Sequence, residues 1–126
     1  MQMRAMAKLN WIGGLAGLLI APLPAFAVDV TCTFETECFE AEACDSANFS
    51  FKLESGSTPE TALQRSPSES VEGRVGGDDM GALYWIGETP SAVQLLSWGA
   101  DGSARYSVHL TEGPAVITYH GMCEAK

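Results

Sequence analysis

The sequence predicts an all-β domain, a small antiparallel barrel or sandwich of about seven strands linked by disulfides. Three observations predict it. Period-2 alternation of apolar and polar residues recurs after residue 27, and helical periodicity does not. The candidate strands are joined mostly by short turns rich in glycine, proline and aspartate. Four cysteines, an even number, all lie after residue 27.

The boundary at residue 27 comes from the amino terminus. Arg4 and Lys8 precede the apolar run Trp11–Ile20, and Ala25-Phe26-Ala27 follows. A basic start, an apolar stretch too short to span a bilayer and an A-x-A end read as a secretory signal peptide cut after Ala27. Residues 28–126 then form one domain. A chain of that length buries roughly two-thirds of its unfolded surface, so covalent cross-links matter to it. No later apolar run reaches membrane-spanning length, and no cysteine sits at the cut to carry a lipid. The mature protein is expected to be soluble, in the periplasm or outside the cell.

That oxidising compartment decides how the cysteines are read. The spacing of Cys32, Cys38 and Cys44 lacks the C-x2-C clusters of zinc ribbons and redox sites. Structural disulfides follow, with three connectivities open. The favoured one joins Cys38 to Cys44 and Cys32 to Cys123. The first would pin the acidic, turn-prone segment 39–43, and the second would staple the first strand to the last.

The strands follow in order. Val28, Val30, Cys32 and Phe34 share one side of the first, opposite Asp29, Thr31, Thr33 and Glu35. Phe49, Phe51 and Leu53 repeat the pattern. Residues 55–70, polar with two prolines, are expected to form a mobile loop. Val71–Val75, Gly81–Ile86 and Ala92–Trp98 are the next candidates, and Asp101-Gly102 is a hairpin signal. Ala104, Tyr106, Val108 and Leu110 then alternate with Arg105, Ser107, His109 and Thr111. A turn at Glu112-Gly113-Pro114 leads into Ala115–His120. Closing this meander would remove exposed edges.

Charge narrows the partners. The mature chain carries five Lys and Arg against sixteen Asp and Glu, a net charge of −11. Such a field repels nucleic acid and anionic lipid and favours a basic protein or divalent cations. The acidic run Glu35, Glu37, Glu40, Glu42 and Asp45 lacks the pattern of a calcium loop and reads as a solvated face. No residue pattern calls for a cofactor or metal.

Catalytic signatures are sparse. The sequence holds no Gly-x-Ser-x-Gly elbow, and 73–77 does not match a phosphate-cradling glycine loop. A small hydrolase with a Ser/His/Asp site could use Asp101 and His109. A turn centred on Gly113 would set His109 opposite Ile117 and put His120 on the other face; a one-residue slip would unite them. Tyr84 and Trp85 are adjacent on a strand, so they face opposite sides. Trp85, if outward, becomes a recognition candidate. Asn48-Phe49-Ser50 matches a glycosylation sequon within a candidate strand.

Residues Gly102-Ser103-Ala104-Arg105-Tyr106, the later Glu112-Gly113-Pro114-Ala115 and Cys123 resemble the C-terminal half of the bacterial C-type lysozyme inhibitors. The resemblance spans about 25 residues. It implies a small exported β-barrel in which a polar loop near the mouth enters the lysozyme cleft, with Ser103 nearest the inhibitory serine. The family's inhibitory lysine has no counterpart, since the mature chain's lysines are Lys52 and Lys126, and Cys38 and Cys44 lie outside the pattern. The expected function is non-enzymatic binding, with inhibition of a basic lysozyme-like hydrolase or a small hydrolase as alternatives. Ser103, Arg105, Trp85 and His109 are the candidate interaction residues.

Overall fold

In the computed structural model, which describes residues 28–125, the chain forms eight antiparallel strands. They are β1 (Asp29–Phe39), β2 (Asp45–Ser55), β3 (Thr61–Arg65), β4 (Ser70–Gly77), β5 (Leu83–Thr89), β6 (Ala92–Trp98), β7 (Ser103–Leu110) and β8 (Ala115–Ala125). Each pairs with its predecessor, and β8 returns to β1, so the meander closes as a barrel. The expected signal peptide lies outside the described residues.

Alternation sorts the side chains between lumen and solvent. Val30, Cys32, Phe34, Phe51, Leu53, Trp85, Leu96, Trp98 and Tyr106 are buried inside, while Thr33, Lys52, Glu72, Arg105 and His109 face out. Apolar-in and polar-out is the reverse of a membrane-spanning barrel. Among the described residues no helix is long and apolar enough to cross a membrane. Trp85 fits because its neighbours give way. Gly73 and Gly87 face each other across β4 and β5, and a Cβ on either would strike the indole ring. The indole Nε1–H donates to the Ala62 carbonyl at 2.9 Å.

Two glutamines share the lumen. Gln64 Nε2 donates to the Tyr106 hydroxyl at 3.1 Å, and Gln94 Nε2 donates to the Glu69 carboxylate at 3.3 Å. Burial pushes the Tyr106 phenol up to about 12 against the lowering effect of the Gln64 bond.

Both expected disulfides are present. Cys32–Cys123 bridges β1 and β8, and Cys38–Cys44 closes the β1–β2 hairpin. At the tip of that hairpin Glu40 adopts a left-handed φ of 51°, which a non-glycine residue holds only when its surroundings fix it. Val116 does so from β8: its carbonyl accepts the Glu40 N–H at 2.9 Å, and its N–H donates to the Glu40 carboxylate at 3.0 Å.

Two expectations need correction. The stretch 55–70 is not a mobile loop, because Thr61–Arg65 forms β3, the eighth strand. Its inward residues are Ala62 and Gln64, small and polar, so no apolar alternation announces it. The prolines Pro59 and Pro67 fall in the flanking turns. Glu72 pins the first of these by accepting bonds from Ser57 N–H and the Ser57 and Thr61 hydroxyls. The final hairpin is centred between Glu112 and Gly113 instead of on Gly113, which shifts its pairing register by one residue. Its loop is Thr111–Pro114, so His109 pairs with Val116 and His120 with Arg105. Both histidines therefore face outward. The alternation read for residues 28–35 holds, and beyond it β1 carries a bulge between Phe34 and Thr36 that brings Glu37 opposite Tyr119. The Tyr119 hydroxyl donates to the Glu37 carboxylate at 3.3 Å.

Candidate interaction surface

The outer wall formed by β5, β6 and β7 departs from the polar-out rule. On β6, Val93 and Leu95 alternate with the buried Ala92, Gln94 and Leu96, yet are 38% and 41% exposed. Tyr84 on β5, 43% exposed, extends the strip. Its ring lies over Gly76 of β4, where a Cβ would collide with it. Because Gly76 has no side chain, the ring packs over the β4 backbone while remaining exposed.

Register flanks this strip mostly with polar groups. Val93 pairs with His109 on one side and Glu88 on the other. Leu95 lies between Ile86 and Ser107, and Ser97 lies between Tyr84 and Arg105. Three of the four candidate interaction residues thus share one wall: Ser103, Arg105 and His109 all point outward from β7. Trp85 does not join them. It is fully buried, and its neighbour Tyr84 takes the outward position. The sequence carried one signal for the missed residues. In 92–98 both faces are apolar, although one of them has no inner partner.

At the lower end of the wall the β6–β7 turn presents Ser103. Gly102 takes a φ of +88°, and its carbonyl accepts the Cys123 N–H at 2.8 Å. The Asp101 carboxylate accepts both the Ser103 N–H at 3.0 Å and its hydroxyl at 2.6 Å. These bonds hold the Asp101 carboxyl below the usual carboxylate range. Ser103 and Arg105 line a groove of about 370 Å³ with Leu83, Ser97 and Trp98. The Arg105 guanidinium donates to the Ala104 carbonyl at 2.8 Å, which folds it against the barrel.

The geometry separates other groups that the sequence left adjacent. His109 and His120 lie four residues apart along neighbouring strands, roughly 13 Å. Among the described residues no three His, Cys, Asp or Glu side chains converge as metal ligands. Asp101 binds Ser103 directly, while His109 is six residues farther along β7, roughly 20 Å away. Asp101, Ser103 and His109 therefore do not assemble a charge-relay site. Asn48 is exposed on the upper part of β2.

Around the wall the barrel is acidic. The described residues include all sixteen Asp and Glu and four of the Lys and Arg, with Glu54–Arg65 at 2.8 Å their one ion pair. No family model matches the chain, and comparison with curated proteins and with solved structures gives no match.

Proposed function

We propose that the chain is an exported, non-catalytic protein-binding barrel that works in the periplasm or outside the cell. The carrying observation is the outward strip of Tyr84, Leu95 and Val93, flanked by Arg105 and His109. Contiguous apolar surface rimmed by polar groups marks a contact with another protein, and aromatic residues and arginine are the usual anchors of such contacts. Two disulfides suit an oxidising compartment.

Site-specific photo-cross-linking tests this reading. A photoreactive residue at Leu95 should give one discrete adduct in the native host, and one at Thr33 on the opposite wall should give none. The adduct should vanish when Val93→Asp is added. Indistinguishable patterns from the two positions would overturn the assignment.

The acidity favours a second, narrower reading: an inhibitor of a basic lysozyme-like hydrolase, presenting Ser103 at the rim of its groove. A surface with so few paired carboxylates steers a basic partner and weakens with salt. A basic C-type lysozyme assayed with the mature protein should lose activity at a 1:1 ratio. Full activity in micromolar excess disposes of the narrower reading and leaves the broader one standing.

A further inference from the structure

Closing the meander should leave no free strand edge, yet among the described residues β2 keeps a long uncovered one. β1 covers β2 from Asp45 to Glu54, whereas β3 covers only Lys52 to Ser55. β3 stops at Arg65 because Pro67 follows and the chain reverses, with the Ser66 N–H donating to the Glu69 carbonyl at 2.9 Å. The β3–β4 hairpin turns at Arg65–Ser70, and Gln94 holds the exposed Glu69 carboxylate at 3.3 Å, while β2 continues upward beyond it. Among the described residues, no backbone group of Asp45–Ser50 is bonded on the side away from β1.

An uncovered edge of this kind is a template for another strand. Natural proteins guard such edges with lysine or proline, and Ser46-Ala47-Asn48-Phe49-Ser50 contains neither. The edge is also held in place. Cys38–Cys44 closes its upper end, and the reciprocal bonds between Glu40 and Val116 tie the hairpin tip to β8. A rigid edge lowers the ordering cost of an incoming strand.

Charge identifies the occupant. Between Glu35 and Phe51 the chain carries five carboxylates and no Lys or Arg, and register sets Glu37 beside Asp45. Phe49, half-buried, offers an apolar contact next to them. A second copy of this chain would bring like charges together.

We propose that the free edge of β2, Asp45–Ser50, receives an extended basic segment of a partner protein by strand addition. The six residues span roughly 20 Å and offer about three pairs of N–H and C=O groups to the incoming strand. This edge lies at the end of the barrel opposite Ser103 and is independent of the strip on β5–β7.

The test uses the mature chain, isotope-labelled, with a capped peptide of alternating lysine and valine. Saturable shifts should centre on Asp45–Ser50 and the Ser66–Glu69 turn, and alternate amides of Asp45–Ser50 should exchange at least about tenfold more slowly. A glutamate-valine peptide should leave the spectrum unchanged. The exposed-site variant Ser46→Lys/Ser50→Lys should bind the basic peptide at least about tenfold more weakly while its Trp85 indole signal stays in place. Four results would overturn the proposal. They are shifts centred on the Ser103 groove, binding without amide protection, undiminished binding by the lysine variant, and pairing of the edge with a second copy when no peptide is present.

Discussion

Cys32 and Cys123 face each other directly across the β1–β8 ladder, with their Cα atoms 4.0 Å apart. The disulfide therefore crosses the seam at which the barrel closes, between strands 91 residues apart in sequence. Its loop is far longer than the one closed by Cys38–Cys44, which are six residues apart. In the chain-entropy account the long loop contributes ~4.6 kcal/mol and the short one ~2.4 kcal/mol. Urea unfolding of Cys32→Ala/Cys123→Ala should show about twice the stability loss of Cys38→Ala/Cys44→Ala. Equal losses would place the seam's stability in its hydrogen bonds instead.

Gly121 sits in the same seam, opposite Phe34 on β1 and Ala104 on β7. A Cβ there would run into the Thr33 carbonyl and the Phe34 Cα, which are backbone atoms of the neighbouring strand and have nowhere to move. Gly121→Ala is expected to cost about 3 kcal/mol, the upper range of overpacking. Thermal unfolding checks the size of the loss. A neutral substitution would mean that the bulge beside Phe34 absorbs the added methyl group.

Much of this architecture was legible in the sequence where alternation was clean. β7 is the clearest case, with Ala104 and Tyr106 inward and Arg105 and His109 outward as read. β3 was hidden because its two inward side chains, Ala62 and Gln64, carry little hydrophobic signal, and prolines border it. The β1 bulge was invisible for a different reason. It is set by the fit of β1 against β8, and no local residue type announces it. The register of His109 and His120 turned on a four-residue loop, which places its centre between Glu112 and Gly113. As for the interaction wall, Ser103, Arg105 and His109 on β7 are candidates from the sequence, whereas Val93 and Leu95 lie in a candidate strand whose two faces the sequence does not tell apart, and Tyr84 is marked only as facing away from Trp85. Only closure of the barrel shows that their face has nothing inside it.

Tyr106 ties stability to alkaline pH. Its hydroxyl is pushed up to about 12 by burial, against roughly 10 in an unfolded chain. Between those values the unfolded chain loses a proton that the folded barrel keeps. The barrel's advantage is thus full below pH ~10 and falls as pH rises towards ~12, by about 2–3 kcal/mol in total. Tyr119, also raised by burial and by Glu37, adds in the same direction. Tyr106→Phe should flatten most of this alkaline loss, although it strands Gln64 Nε2 and costs about 1–3 kcal/mol at neutral pH. Unfolding curves across the alkaline range, followed with tyrosinate absorbance, decide it. A wild-type protein as stable above pH ~11 as at neutrality would contradict the burial of this phenol.

Asp101 and Ser103 separate the shape of the lower turn from its use. The carboxylate holds the Ser103 N–H and hydroxyl together, so Asp101→Ala frees both without touching the lumen. Asp101 is fully exposed, so the barrel as a whole should keep its unfolding midpoint. The turn should instead loosen, with faster amide exchange at Ser103 alone. Acid should mimic the substitution. The Asp101 carboxyl lies below its ordinary value in the folded chain, so its bonds persist above that range and are lost as pH falls through the lowered value. If Ser103 acts at the groove rim, Asp101→Ala and Ser103→Ala should weaken lysozyme inhibition by similar factors, and combining them should add little. Additive losses would show that Asp101 contacts the partner itself. Intact inhibition in both variants, with the turn loosened, would remove Ser103 from the interface and leave the Tyr84–Leu95 strip as its sole anchor.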